Sequence, residues 1–279
     1  MTVRDIIVPL QPEPTQEAHT PEAFAIALAA RSEAHLTALA PSFSYVAEAA
    51  GVRLPADIRE DLRARSDEAA RSAVTNFEGR ARAGGVLYQS EIVRAGPSDF
   101  ADRFARRTRT CDLSVVPQSD PSANGWETGL IEAVLFDSGR PVLIVPYVHT
   151  GEPRFNRILV AWDGSKAAAR AVHDALPLLA YARTVELLTV YTERHRPENV
   201  IPGADLATHL ARHGLNVTAS STDASEIGIA EAMLSHVADS GTDLVVMGGY
   251  AHSRLRHLVF GGATSGILKS MTAPVLMAH

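Results

Sequence analysis

The chain has one cysteine, Cys111, among its 279 residues, so it cannot form an internal disulfide, as suits a reducing cytosol. No apolar run approaches the roughly 20 residues of a membrane-spanning helix, and the first residues lack a signal-peptide profile. The formal net charge of −6 leaves no basic field for nucleic acid or an anionic membrane. These absences predict a cytoplasmic protein that binds neither.

The sequence motifs of common enzymes are also missing. There is no Walker loop, no G-x-S-x-G elbow and no acid cluster, and no dinucleotide fingerprint follows the first predicted strand. His209 and His213 have helical spacing but no third ligand, so no metal site is predicted. The sequence therefore predicts no enzyme, or at most slow ATP hydrolysis.

Hydrophobic residues make up 46% of the chain and charged residues 21%, which is typical of a folded protein. Three short segments recur in the same order, and this indicates a duplication. The matched pairs are 4–10 with 157–162, 111–117 with 242–247, and 141–146 with 274–278. We therefore predict two domains, 1–148 and 154–279, joined by a polar linker that contains Gly and Pro.

Each half alternates apolar strands with helical segments, which predicts α/β folding: two tandem open, mostly parallel five-stranded sheets flanked by helices. The predicted strands are 5–10, 36–40, 86–93, 113–116, 141–145, 157–163, 185–192, 216–222, 243–247 and 274–278. The predicted helices of the second half are 165–180, 199–213, 225–240 with Ser225 as N-cap, and 263–270. The first half adds a long helix, 57–84.

A glycine-flanked loop follows the fourth strand of the second half. Gly248-Gly249 ends the strand and Gly261-Gly262 opens a helix, where free N–H groups favour anions. Phosphate binding is therefore predicted there. The first half lacks this loop, since 117–125 has no paired glycines. Its first strand ends in Pro9-Leu10-Gln11, where the second half has Trp162-Asp163-Gly164-Ser165.

The second half resembles the universal stress protein family in its Asp163-Gly-Ser turn, its loop and its final Pro-Val-Leu strand. The family loop, G-x-x-G-x9-G-[ST], corresponds to Gly248, Ala251, Gly261 and Gly262. The spacing matches throughout, whereas Ala251 and Gly262 depart from the pattern. The resemblance covers 154–279 and, more weakly, the first half, so the chain is similar to tandem universal stress proteins with a Rossmann-like fold.

The resemblance implies a stress-response protein that binds an adenine nucleotide, ATP or AMP, at the carboxyl ends of the second domain's strands. Asp163 would meet the ribose, Val190 the adenine, and the residues from Gly261 onward the phosphates. The implied binding residues are Ala161, Asp163, Val190, Met247, Gly248, Ala251, Gly261, Gly262, Ala263 and Thr264. The alternative is a tandem scaffold without nucleotide, acting through unknown protein partners. A homodimer of tandem chains is possible, and the last strands of the two halves are expected to pair.

Simpler roles stay open for several of these residues. The glycine pair 248–249 would also suit a plain turn, and Asp163 a helix cap. The loop residues His252, Arg254, Arg256 and His257 would either add positive charge near phosphates or form a solvated loop. A second basic run is predicted to solvate a helix end and comprises Arg103, Arg106, Arg107 and Arg109.

Overall fold

The computed structural model describes residues 2–11, 21–43, 55–119, 126–192, 203–249 and 262–279. They form two compact units. The first unit comprises Thr2–Arg140 with Thr150–Glu152, and the second comprises Pro141–His149 with Pro153–His279. Within the described residues, no helix is both long and apolar enough to cross a membrane.

The first unit is a parallel sheet of four strands with helices between them. In chain order its elements are β1 (Asp5–Pro9), α1 (Pro21–Ser32), β2 (His35–Phe43), α2 (Ala56–Ala83), β3 (Tyr88–Ala95), α3 (Pro97–Thr108), β4 (Leu113–Pro117) and α4 (Trp126–Asp137). The strand order is β3-β2-β1-β4. Strands β1 and β4 are apolar and almost entirely buried, as expected of a sheet covered on both faces.

The described part of the second unit contains six strands. Its elements are β5 (Val142–Val145), β6 (Arg157–Ala161), α5 (Lys166–Leu179), β7 (Thr184–Tyr191), α6 (Ala204–Arg212), β8 (Val217–Asp223), α7 (Ile229–Ser240), β9 (Leu244–Gly248), α8 (Gly262–Ser270) and β10 (Val275–Ala278). The order is β5-β10-β9-β6-β7-β8, and only β5 runs antiparallel to its neighbour.

The predicted class, mostly parallel α/β with flanking helices, is confirmed. The prediction of five strands in each half differs from the grouping in the structure. Strand β5 belongs to the second unit, because it pairs with β10, for example Ile144 with Val275. The expected pairing of the two last strands is thus present within the second unit. The division into domains 1–148 and 154–279 stays a prediction.

The duplication is visible in the backbone hydrogen bonds at the start of each first strand. In each unit one aspartate, Asp112 or Asp243, accepts from two consecutive N–H groups through its Oδ2 atom. The donors, at 2.8 to 3.1 Å, are Arg4 and Asp5 in the first unit and Asn156 and Arg157 in the second. These shared contacts establish which positions correspond.

The correspondence extends to the carboxyl ends of the strands. The N–H of Leu10 donates to Leu39 O at 2.8 Å, and that of Trp162 donates to Leu188 O at 2.9 Å. Gln11 therefore corresponds to Asp163. Strands β4 and β9 each have five residues, so Pro117 corresponds to Gly248.

Two of the predicted helix starts differ from the structure, those of α7 and α6. Helix α7 begins at Ile229 with Gly228 as N-cap, not at Ser225. The Ser225 N–H donates to Asp223 Oδ1 at 2.8 Å, so Ser225 belongs to the turn that ends β8. The predicted helix 199–213 starts later than expected, since α6 begins at Ala204 with Gly203 as N-cap, and 199–202 lie outside the described residues. Helices α2, α5 and α8 begin and end within one residue of the predicted 57–84, 165–180 and 263–270. Ser165 caps α5 by accepting from the Ala168 N–H at 3.1 Å.

Candidate functional site

Three of the implied binding residues share one face of the second sheet at its carboxyl end. Ala161 pairs with Leu188, and Leu159 pairs with Val245. Because side chains alternate along a strand and paired residues share a face, Ala161, Val190 and Met247 point to the same side. We call this the α7 face, since His236 of α7 contacts Glu186 of β7 there, with Nε2 2.9 Å from Oε1.

Gly248 points to the opposite face, where α5 packs. A Cβ at Gly248 would lie 2.5 Å from the Ala168 nitrogen and 2.7 Å from the Ala167 carbonyl carbon. These are backbone atoms and cannot swing aside. Close packing of β9 against α5 therefore requires glycine at this position, independently of any ligand.

Asp163 stands in a turn that uses one of its two carboxylate oxygens. Its Oδ1 accepts from the Ser165 N–H at 2.9 Å, and Gly164 between them has φ +74°, which favours glycine. The side chain is exposed, and no described residue bonds to Oδ2. The N-cap of α5 is Ser165, so Asp163 is not the residue that caps this helix.

Helix α8 begins at Gly262 and packs beside α7. Gly262 is exposed, Ala263 is half-buried and Thr264 is 8% exposed. A Cβ at Gly262 would meet no described atom within 4 Å. The first turn of a helix offers unpaired N–H groups and the positive end of the dipole, so this end is suited to an anion.

Two implied binding residues, Ala251 and Gly261, lie outside the described residues. The same holds for the charged loop positions His252, Arg254, Arg256 and His257. Their predicted contacts with phosphates therefore stay predictions. Gly249, which precedes this segment, is described and buried.

Sequence reasoning passed over His279. Its Nδ1 lies 2.9 Å from the carbonyl oxygen of Gly249, beside the carboxyl ends of β9 and β10. Its position in the sequence could have indicated this contact. His279 directly follows a predicted strand, and residues that follow neighbouring parallel strands lie close together at the carboxyl end of the sheet.

Aromatic side chains occupy the carboxyl end of the first unit's sheet. The rings of Phe43, Phe100 and Trp126 are 5.7 to 6.0 Å apart, mostly edge to face. Phe100 N–H donates to Gly96 O, as Ala232 N–H does to Gly228 O, so Phe100 corresponds to Ala232. A large ring thus stands where the second unit has a methyl group.

Acidic residues also lie at this end of the first unit. Glu22, 3% exposed, accepts from the Gln11 N–H at 2.8 Å. Glu127, 5% exposed, stands in the first turn of α4, the counterpart of α8. The Glu127 carboxylate therefore lies at the positive end of the α4 dipole, the position at which a bound anion would be stabilised.

Helix α2 is tied to the same end of the first sheet by Asp67. Asp67 Oδ1 accepts from Ser42 Oγ at 2.6 Å and from Arg94 Nε at 3.0 Å. The Arg94 guanidinium, helped by the Ser42 hydroxyl, holds the pKa of Asp67 below its ordinary value. At the carboxyl ends of β2 and β3, the first sheet is therefore hydrogen-bonded to α2.

The basic run of α3 contributes to helix packing. Arg109 donates to Asp137 O, the last residue of α4, from Nε at 3.1 Å and Nη2 at 3.0 Å. Arg140 Nε donates to Arg109 O at 3.2 Å.

The single cysteine lies near these arginines. Burial raises the pKa of the Cys111 thiol to about 11, so Cys111 is a protonated thiol at neutral pH.

Comparisons with known proteins relate the second half of the chain to one family. The universal stress protein family model matches residues 154–279. Universal stress protein Slr1230 of Synechocystis is 26% identical over 156 residues, 55% of this chain and 52% of its own length. The chain thus spans about half of that relative. Universal stress protein YxiE of Bacillus subtilis is 26% identical over 150 residues, 45% of this chain and 99% of its own.

A solved universal stress protein from Archaeoglobus fulgidus has a similar fold. Its TM-score is 0.72 with 15% sequence identity, over 98% of this chain and 96% of that chain. At this identity the likeness concerns the fold alone.

Proposed function

Residues 154–279 belong to the universal stress protein family, and from that premise we propose that the second unit binds an adenine nucleotide at the carboxyl end of its sheet. The chain would act as a stress-response regulator whose conformation or partner choice depends on that nucleotide. Open parallel sheets bind ligands at this end.

The observation that carries the proposal is the row formed by Ala161, Met247 and Val190 on the α7 face. These side chains are small or apolar and partly or wholly buried, as a flat base requires. Asp163 follows the same strand as Ala161 and keeps Oδ2 as an acceptor for a ribose hydroxyl.

The start of α8 supports the position of the phosphates. Gly262 is exposed at the helix N-terminus and has no side chain to obstruct an anion. Thr264 stands in the same first turn. A phosphate there would gain both unpaired N–H groups and the helix dipole.

The test is titration calorimetry on the full chain with ATP, AMP, adenosine and cAMP. The last is included because one universal stress protein has been solved in complex with it. We expect ATP or AMP to bind. Asp163→Asn keeps the turn through its Oδ1, but replaces a charged acceptor by a neutral one, and should weaken binding about tenfold or more.

Gln11→Ala is the matched control, because Gln11 occupies the corresponding position of the first unit. It should leave the affinity unchanged. No binding of any of the four ligands, together with no adenine nucleotide in mass spectra of the denatured protein, would favour the alternative of a nucleotide-free scaffold.

A further inference from the structure

The carboxyl end of β8 carries a hydroxyl group beside the proposed base site. Thr222 pairs with Val190 of β7, and paired residues of neighbouring strands share a face, so Thr222 lies on the α7 face. The register continues past this pair, because the Ala224 N–H donates to Tyr191 O at 2.8 Å. Thr222 is half-buried. It is therefore the neighbour of Val190 on the side of the sheet that the proposed ligand would cover.

The protein uses the preceding polar side chains of this face, but not the Thr222 hydroxyl. Ser220 Oγ donates to Glu186 Oε1 at 2.7 Å, and the same oxygen lies 2.9 Å from His236 Nε2. Among the residues that the structure describes, none forms a hydrogen bond with the Thr222 hydroxyl. A half-buried hydroxyl in this position is available to a ligand, to which it can donate or from which it can accept.

The first unit has an apolar residue at the corresponding position. Leu39 corresponds to Leu188, since each accepts the backbone hydrogen bond that follows its unit's first strand. The residues two positions later pair with Val93 in the first unit and with Thr222 in the second. Valine has the shape of threonine with a methyl group in place of the hydroxyl. The unit that lacks the glycine-flanked loop therefore also lacks this hydroxyl.

The order of the strands decides which edge of the base faces Thr222. In the order β10-β9-β6-β7-β8, helix α8 connects β9 to β10, Asp163 follows β6, and Val190 and Thr222 lie beyond it. A nucleotide with its phosphates at α8 and its ribose at Asp163 extends its base over β7 towards β8. Because ribose is attached to the five-membered ring of a purine, the far edge is that of the six-membered ring. In adenine this edge carries the 6-amino group.

We propose that Thr222 is a specificity-determining residue of this site, and that its Oγ1 accepts a hydrogen bond from the 6-amino group of adenine. The inference rests on the proposed function and adds to it a preference for one base. A purine without the amino group leaves the half-buried hydroxyl without that partner, and so it binds less tightly.

The experiment measures, by titration calorimetry, the affinity of the full chain for ATP and for purine riboside triphosphate, the same ligand without the 6-amino group. Thr222→Val replaces the hydroxyl by a methyl group, and Thr222→Ser keeps the hydroxyl. Thr218→Val is the matched control. Thr218 lies on the same strand and face, is exposed, and pairs with Glu186 nearer the amino end of the sheet.

We expect wild-type protein to bind ATP about fivefold more tightly than the analogue, the equivalent of one neutral hydrogen bond. In Thr222→Val this preference should disappear, because ATP affinity falls while the affinity for the analogue stays the same. Thr222→Ser should keep the preference to within about twofold, and Thr218→Val should leave it unchanged. A distortion of the site would weaken both ligands alike, so the ratio of the two affinities isolates the hydrogen bond.

The outcomes distinguish this inference from the proposed function. If wild type binds the two ligands equally, the inference is wrong and the proposed function stands. The same holds if Thr222→Val keeps the preference for ATP or loses affinity for both ligands to the same extent. If wild type binds neither ligand, the proposed function fails and the role of Thr222 fails with it.

Discussion

The two units end their sheets in different ways. In the first unit, three aromatic rings and the buried Glu22 and Glu127 lie at the carboxyl ends of the strands. In the second unit, the described positions at that end include the small or apolar row of Ala161, Met247 and Val190, an exposed helix start, and the Asp163 carboxylate, whose Oδ2 no described residue bonds.

This difference lies on a frame that the two units share. The hydrogen bonds that begin the first strands are the same in both units, so the frame is common. The residues that differ, such as Phe100 against Ala232, lie where a parallel sheet would hold a ligand. The described residues of the first unit fill this region with aromatic packing, and we predict that the first unit binds no nucleotide there.

The largest effect is expected from Phe100→Ala. Phe100 is fully buried against Phe43 and Trp126, so its truncation should lower the free energy of unfolding by about 3 to 5 kcal/mol. Nucleotide affinity should stay the same, because the second unit is untouched. Urea unfolding with Leu87→Ala, at a site 76% exposed, as control would test this. A loss below 1 kcal/mol would mean that the aromatic cluster does little for stability.

Gly248→Ala should cost about 1 to 3 kcal/mol, because the new methyl group must displace the backbone of α5. Gly262→Ala is the control, since its methyl group meets no described atom within 4 Å. Thermal and urea unfolding of both variants would measure the difference. Equal free energies of unfolding for Gly248→Ala and Gly262→Ala would show that β9 and α5 can move apart to hold a methyl group without a measurable loss of stability.

Ala251→Gly combined with Gly262→Ser would rebuild the family loop pattern. We expect ATP to bind about tenfold more tightly, a gain of roughly 1 to 2 kcal/mol, as the Ser hydroxyl adds a phosphate donor. No described atom lies within 4 Å of a Cβ at Gly262, so the described residues leave room for the serine side chain. Adenosine affinity should not change. Calorimetry with both ligands tests this, and an equal gain in affinity for adenosine would contradict the prediction.

Asp67→Asn should have the smallest effect and should depend on pH. Arg94 and Ser42 lower the pKa of Asp67, so its contribution to stability is present above the unfolded value of 3.8 and is lost as pH falls through the folded value. The variant should be less stable than wild type at neutral pH and equal to it in strong acid. Asp61→Asn, which breaks an exposed pair with Arg65, is the control.

Much of the fold could be predicted from local patterns. Apolar β-branched runs predicted the buried strands, and Ser165 predicted the start of α5. Ser225 failed as a helix cap, because the same residue type also favours turns and here bonds to Asp223. Strands and helices are predicted from the pattern of residues close together in the sequence. Whether a serine forms a turn or a helix cap depends on the backbone conformation of the residues that follow it.

The sequence by itself determined the alternation of strands and helices, the duplication, and the lack of the glycine-flanked loop in the first half. Only the tertiary structure decided that β5 pairs with β10, that Gly248 packs on α5, and that His279 holds Gly249. Each of these contacts joins residues far apart in the chain or on neighbouring strands. Their partners are set by sheet order and register, which hydrophobic periodicity does not specify.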